Sequence, residues 1–177
     1  MIGEFRIIVS FLILLGIVAC RNGKNVGETK MLTQKQVNEK LVEANKNAIE
    51  IENKQIDSLI SRYGWEMSAT PTGLRYQVIE KGNGTKTASG KIVRFDYDVK
   101  LISGELIYSS LKTGPKEFRI GSGGVESGLE EGILLLKVGD SARFILPSYL
   151  AHGLSGDQNL IPPKSTLIYT LKLIKLK

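Results

Sequence analysis

The stretch Val93-Arg94-Phe95-Asp96-Tyr97-Asp98-Val99-Lys100-Leu101 alternates apolar and charged residues along its whole length. Because a β-strand points successive side chains to opposite faces, this period of two predicts a strand with one dry and one wet face. Shorter patterns of the same kind predict further strands at 74–80, 116–120, 142–147 and 166–175. The C-terminal part of the chain is therefore expected to be built around a sheet.

A short helix is expected within this region, at 129–136. Glu130 and Glu131 stand near its start, where the positive end of the helix dipole favours acidic side chains. One short helix among antiparallel strands indicates the α+β class, in which the helix covers the apolar face of a twisted sheet. The sheet is expected to wrap on this helix.

Turn-forming residues mark the beginning of the region. Thr70-Pro71-Thr72-Gly73 contains the Pro and Gly that punctuate regular structure, and upstream of it the apolar period is 3.6 instead of 2. We therefore expect a domain over 72–177 and a separate helical segment before it.

The helical segment is predicted over 33–68. Thr33 followed by Gln36 fits a capping box, and Gly64 ends the helical pattern. The apolar positions fall on one helical stripe, which shifts at Gln55: they are Val37, Leu41, Ala44, Ala48, Ile51, Ile56, Leu59, Ile60 and Tyr63. Such a helix could form a homodimer through 33–63, lie on the following domain, or stand alone as a stalk.

Residues 1–19 have the composition of an export signal. The apolar run from Ile7 to Ala19 follows Arg6. It is shorter than the about 20 residues that span a bilayer, and it suits the apolar region of a secretory signal peptide.

The end of that run, Ile17-Val18-Ala19-Cys20, resembles the bacterial lipobox. The resemblance implies that residues 1–19 are a lipoprotein signal peptide, that the mature chain begins at Cys20, and that acyl chains on its thiol anchor the protein to a membrane, each buried CH2 contributing about 0.8 kcal/mol. The rest would face the periplasm, and Arg21 would favour the outer over the inner membrane by the sorting rule of enterobacteria. Residues 20–32 would serve as a flexible spacer.

Composition excludes several classes of site. The 177 residues are 42% hydrophobic, enough for a core, and hold one Cys and one His, so neither a disulfide framework nor a structural zinc site can form within the chain. The 24 basic and 18 acidic residues leave a net charge of +6, but the basic residues are dispersed rather than clustered. We therefore expect no metal, no cofactor and no nucleic-acid partner.

Three blocks of the C-terminal region, 95–110, 125–140 and 146–167, resemble FKBP-type peptidyl-prolyl isomerases in order and spacing. The resemblance covers 73–177 and implies an FKBP-like fold, prolyl isomerase activity and proline-containing polypeptides as clients. A prolyl bond turns over a barrier of about 18 to 20 kcal/mol because amide resonance is lost as the bond twists. A pocket that buries the proline ring away from water lowers this barrier without a nucleophile.

By this resemblance, Leu129 would form the floor of the pocket, and the backbone N–H of Glu126 would bind the substrate carbonyl. The other pocket residues implied by the resemblance are the walls Tyr97, Val125, Ile161 and Tyr169, with Ile107 beside them and Leu160 on the rim.

Three positions depart from the family pattern. Tyr108 stands where active members usually carry Asp, and Lys116 replaces a usual pocket Phe. His152 replaces a Tyr whose hydroxyl typically reaches the substrate carbonyl. An imidazole can also donate that bond, and its ordinary pKa near 6.5 would make the role depend on pH.

The sequence therefore predicts a lipid-anchored isomerase that assists the folding of exported proteins in the cell envelope. The alternative is a catalytically weak or inactive FKBP-like binding module or chaperone attached to an envelope complex. Tyr108 and Lys116 favour this alternative, whereas the intact blocks 128–132 and 161–163 favour the enzyme.

Overall fold

The computed structural model describes residues 32–177. The predicted signal peptide 1–19, Cys20 and almost all of the predicted spacer lie outside the described residues. The chain divides into two units, Met1–Val42 and Glu43–Lys177, and every contact between elements given below lies within the second.

The elements are numbered here in chain order. They are α1 Gln34–Tyr63, β1 Ser68–Ala69, β2 Arg75–Glu80, β3 Ile92–Leu101, β4 Leu106–Ser109, α2 Ser110–Thr113, β5 Lys116–Arg119, α3 Ser127–Ile133, β6 Ser141–Leu146, a 3-10 helix Ser148–Leu150 and β7 Leu167–Leu176.

The start of α1 has the capping box that the sequence predicted. The backbone N–H of Gln36 donates to Thr33 Oγ1 at 3.3 Å, and the backbone N–H of Thr33 donates to Gln36 Oε1 at 3.0 Å. These bonds satisfy backbone donors that the first helical turn leaves without partners.

Among the described residues, seven strands form one sheet in the order β1-β2-β6-β7-β3-β4, and β5 pairs with β3. Every pair of neighbours is antiparallel. The predicted α+β class is thereby confirmed. The short strand β4 and the short helices α2 and Ser148–Leu150 were not predicted, because a single turn or four residues show no readable period.

One face of the sheet packs on α3. Phe95 and Val99 of β3 and Leu129 and Ile133 of α3 are almost completely buried in the same core cluster. The helix approaches the sheet closely at Gly132, where a Cβ would lie only 2.7 Å from the ring of Phe144. Glycine at this position therefore permits the packing distance.

The opposite face of the sheet is covered by the C-terminal part of α1. Ile56 and Leu59 are buried against Ile145 of β6 and Ile168 of β7, whose neighbours in each strand point into the main core. Of the three arrangements that the sequence left open, this part of the helix lies on the domain. Ile51, which the sequence placed on the same stripe, is exposed. Within residues 32–177, no helix has both the length and the apolar character needed to cross a membrane.

Candidate functional site

Seven of the predicted pocket residues come from five different parts of the chain and meet on the core cluster. Leu129 of α3, Ile161 of the loop before β7 and Tyr169 of β7 are buried members of this cluster. The residues packed against it at its edge include four further predicted ones: Tyr97, Ile107, Tyr108 and Val125. The fold thus brings the predicted floor residue and the predicted walls together in one apolar cluster.

Two predicted residues are less central. Leu160 is 52% exposed and lies outside the apolar cluster. Lys116 begins β5 and is paired in register with Phe95, with its side chain partly buried. Neither residue is part of the apolar cluster that the seven other predicted residues share.

The start of α3 is held close to the rest of the pocket by a glycine. A Cβ on Gly128 would lie 2.8 Å from Leu146 and 3.0 Å from Leu150. The absence of a side chain there lets the first turn of α3 contact both β6 and the 3-10 helix. Leu129, the next residue and the predicted floor of the pocket, is consequently held in the core with no exposed surface.

The side chain of Glu126 enters this apolar region. Tyr169 donates its phenolic hydrogen to Glu126 Oε1 at 2.6 Å, and His152 Nε2 lies 3.1 Å from the same oxygen. The Glu126 side chain is only 5% exposed. Its second oxygen, Oε2, is buried and has no hydrogen-bond partner in the described part of the chain. A buried acceptor without a donor destabilises the folded protein, so the unpartnered Oε2 of Glu126 lowers the free energy of unfolding.

The sequence assigned a role only to the backbone of Glu126. Its N–H is indeed without an acceptor among residues 32–177, and Glu126 precedes the first residue of α3 without capping it through its side chain. The carboxylate turns instead toward Tyr169 and His152. A charged residue directly before the pocket-floor helix was the one visible signal for this network.

Burial determines the protonation of the phenol in this network. It raises the pKa of Tyr169 well above the ordinary value of 10.0, and the charge of Glu126 raises it further. Tyr169 therefore stays a neutral hydrogen-bond donor throughout the physiological range.

The hydrogen-bond partners of Tyr108 show what holds this residue, which the sequence placed among the substrate-binding positions although it departs from the family pattern. The Tyr108 hydroxyl donates to Asp157 Oδ2, and Asn159 Nδ2 donates to the Tyr108 hydroxyl oxygen at 3.2 Å. Asp157 Oδ1 also accepts the backbone N–H groups of Asn159 at 2.9 Å and Ile161 at 2.7 Å. Tyr108 and Asp157 together fix the loop that carries the pocket wall Ile161.

These bonds shift the pKa values of both partners. The hydrogen bond to Asp157 raises the pKa of Tyr108. Burial acts to raise the pKa of Asp157, but the hydrogen bonds from Tyr108 and the two backbone N–H groups outweigh it, and the pKa lies below its ordinary value of 3.8. Asp157 is therefore a stable anion in the rim.

Tyr97 is held by the short helix that the sequence missed. Its hydroxyl shares a hydrogen bond of 3.0 Å with Thr113 Oγ1, and its backbone N–H donates to Ser110 Oγ at 3.0 Å. The helix α2 thus fixes the position of Tyr97, a predicted wall of the pocket.

The arrangement suits the binding of an apolar ring beside a polar amide. It offers buried aliphatic and aromatic surface, an unused backbone donor, and polar groups at the rim. In the described part of the chain, no three His, Cys, Asp or Glu side chains are grouped so as to hold a metal ion.

Comparison with known proteins identifies the class to which this fold and pocket belong. The family model described as FKBP-type peptidyl-prolyl cis-trans isomerase matches residues 83–174, more than half of the 177 residues. The chain belongs to this family of isomerases.

Individual relatives agree with this assignment. The chain is 41% identical over 104 residues to FK506-binding protein 4 of Dictyostelium discoideum, covering 59% of this chain and 28% of that protein. It is 36% identical over 111 residues to the FKBP-type 22 kDa peptidyl-prolyl cis-trans isomerase of Escherichia coli, covering 62% of this chain and 53% of that protein. The chain thus spans between about a quarter and about half of the length of these curated relatives.

A solved structure is similar over a longer range. The crystal structure of FkpA from Escherichia coli aligns with a TM-score of 0.63 at 25% identity, covering 98% of this chain and 82% of that chain. The FKBP-like fold implied by the sequence resemblance is confirmed.

Proposed function

We propose that this protein is a peptidyl-prolyl cis-trans isomerase that assists the folding of exported polypeptides in the cell envelope. The observation that carries the proposal is the meeting of the floor residue Leu129 with the walls Ile161 and Tyr169 in one buried apolar cluster, beside the unused N–H of Glu126. Proline-containing segments of unfolded chains are the substrates that such a pocket suits.

In the proposed mechanism, the proline ring lies on Leu129 between the walls Tyr97, Val125 and Tyr169. Burial removes the water that stabilises the planar, polar amide. The N–H of Glu126 binds the carbonyl that precedes the proline and holds it while the bond twists. Because the twisted amide is less polar than the planar one, the apolar pocket stabilises it more than it stabilises the ground state.

His152 can donate a hydrogen bond to the substrate carbonyl only in one protonation state. Its Nε2 faces the Glu126 carboxylate, which accepts hydrogen bonds, so the neutral imidazole uses its only N–H there. A bond from His152 to a substrate carbonyl then needs a second proton, on Nδ1. We infer that His152 takes the place of the family's Tyr hydroxyl only when it is protonated.

A non-enzymatic binding module or chaperone, attached to an envelope complex, is the second candidate. The buried Glu126 carboxylate favours it, because a charged group among the pocket residues makes the site less apolar than the proposed catalysis requires. Such a module would bind proline-containing segments without accelerating their isomerisation.

Lipid anchoring through Cys20, with the domain facing the periplasm and the outer membrane as its site, is part of the proposal. The lipobox resemblance of residues 17–20 supports it. A homodimer through α1, proposed within 33–63, is supported by apolar side chains of that helix that stay exposed: Leu41, Val42, Ile49 and Ile51. Sedimentation equilibrium would give twice the chain mass if this pairing occurs and the single chain mass if it does not.

The isomerase proposal is tested by refolding of a protein whose slow phase is limited by a prolyl bond. We expect the rate of that phase to rise linearly with the concentration of this protein. No acceleration at micromolar concentration, together with measurable binding of the unfolded substrate, would favour the binding module instead.

A further inference from the structure

Glu52, in the middle of α1, accepts hydrogen bonds from both ends of the segment 148–166. Its Oε1 accepts the backbone N–H of Ser148 at 2.6 Å and the hydroxyl of Thr166 at 2.6 Å. Its Oε2 accepts the hydroxyl of Ser148 at 3.0 Å. One carboxylate thus accepts three hydrogen bonds from the domain.

The bond to Ser148 takes the place of a helix cap. Ser148 begins the 3-10 helix, and the residue before it is Pro147, whose side chain makes no capping hydrogen bond. The N–H groups at a helix start need acceptors and favour negative charge. Glu52 supplies both from a different helix.

The segment between these two anchor points, 148–166, carries three groups of the pocket: His152, the rim anion Asp157 and the wall Ile161. The carbonyl of Ser148 accepts the backbone N–H of Gly153 at 2.8 Å, and Gly153 in turn accepts the N–H of Lys164 at 2.7 Å. Ser148 is therefore the point from which the turn around His152 is built.

The charge of Glu52 is also felt within this segment. Burial raises the pKa of Tyr149, the residue after Ser148, and the negative charge of Glu52 raises it further. Tyr149 remains neutral, and its hydroxyl donates to the carbonyl of Thr72 at 3.0 Å.

Other contacts hold the helix itself on the domain. Ile56 and Leu59 are buried against the sheet, and Arg75 donates to Asp57 at 3.2 Å and to Asn53 at 3.3 Å. None of these contacts involves residues 148–166. The Glu52 bonds are thus separable from the docking of α1.

We propose that Glu52 is a positioning residue of the pocket: it fixes segment 148–166 so that His152 stays against Glu126 and Ile161 stays in the wall. This role rests on the proposed isomerase function. Glu52 lies outside residues 83–174, the range that the family model matches. Its role would therefore add the middle of α1 to a site whose other residues lie within that range. A displacement of α1 would then change the position of segment 148–166 through the Glu52 carboxylate.

The test uses the full chain with Glu52→Ala, Glu52→Gln and the control Asp57→Asn, which removes the charge from a helix-to-domain contact remote from segment 148–166. His152 is the only histidine, so its ring resonances in NMR spectra report the pocket without ambiguity. Hydrogen exchange of the Ser148 amide reports the loss of its acceptor, and peptide isomerisation separates KM from kcat.

In Glu52→Ala we expect the His152 resonances to shift and broaden and the Ser148 amide to exchange about tenfold faster. KM should rise about threefold or more with kcat little changed, because a smaller fraction of molecules has the binding-competent loop. Glu52→Gln should fall between Glu52→Ala and the wild type, since its amide oxygen can still accept the Ser148 N–H. Asp57→Asn should match the wild type in all three measurements.

Unchanged His152 resonances and Ser148 exchange in a folded Glu52→Ala variant would overturn the proposal, as would equal changes in Asp57→Asn. If Glu52→Ala does not fold, the same two measurements on Glu52→Gln decide. A wild-type protein that fails to catalyse isomerisation would refute the proposed function alone, because the resonances and the exchange rate do not depend on turnover.

Discussion

The phenol of Tyr169 donates a hydrogen bond of 2.6 Å to Glu126 Oε1 at the base of the pocket, and both residues are buried. Most of the pocket is apolar, so this pair is its principal polar element. The second carboxylate oxygen of Glu126, Oε2, has no hydrogen-bond partner in the described residues. Removing one member of such a pair lowers the stability of the folded protein more than removing both, because the remaining buried polar group is left without a partner.

We predict that Tyr169→Phe lowers the free energy of unfolding by about 1 to 3 kcal/mol, because the Glu126 carboxylate then loses its strongest donor. Glu126→Val should cost less, since it also removes the unpartnered oxygen. The double variant should be more stable than the sum of the two changes predicts, by about 0.5 to 3 kcal/mol. Chemical denaturation of the four proteins measures this coupling, and strict additivity would show that the two side chains do not interact.

The protonation of His152 gives a second prediction. If its Nδ1–H is the donor to the substrate carbonyl, activity should increase as the pH falls from basic to acidic, because only the protonated ring carries an N–H on both nitrogens. His152→Phe should lose this dependence and keep the activity of the high-pH limit. Peptide isomerisation rates across this range provide the measurement, and a pH profile shared by both proteins would exclude His152 as the donor.

The rim anion predicts a dependence of stability on acid. The folded-state pKa of Asp157 lies below its ordinary value of 3.8, so its stabilising contribution is present above that value and is lost as the pH falls through the lowered pKa. Asp157→Asn should therefore be less stable than the wild type at pH 7, and the difference should be smaller at a pH well below 3.8. Asp96→Asn, an exposed change on β3, is the control. A stability difference that is the same at both pH values would contradict this account.

The lipid anchor is tested by Cys20→Ser. Without the thiol no acyl chain can be added, and we expect the protein to move from the membrane fraction to the soluble fraction. The fractions are compared by immunoblot. Retention of Cys20→Ser in the membrane would count against acylation at this residue.

The sequence predicted the parts of the fold that have a long and regular pattern. The alternation from Val93 to Leu101 gave β3, and the capping box gave the start of α1. The helical stripe could not show which partner covers it, because apolar side chains at one spacing suit a sheet or a second helix equally. The structure resolves this for Ile56 and Leu59, which are buried on the sheet, and for Ile60, which packs beside them.

The candidate site was predicted as a set of positions but not as a network. The family resemblance supplied the apolar floor, whereas the roles of Glu126 and Glu52 depend on side chains that meet only after folding. Glu52 and Ser148 are 96 residues apart in sequence. No local pattern connects positions at that distance.

The central claim is that the pocket around Tyr169 and Tyr97 catalyses prolyl isomerisation. Exchange NMR spectroscopy of an Xaa-Pro peptide with a small fraction of the protein measures this directly, because cis and trans signals exchange within the experiment only if isomerisation is accelerated. We predict exchange peaks with the wild type and with Lys172→Ala, an exposed change on β7, and none with Tyr169→Ala or Tyr97→Ala. Equal exchange in all four proteins would contradict the pocket assignment, and no exchange in any of them would contradict the isomerase itself.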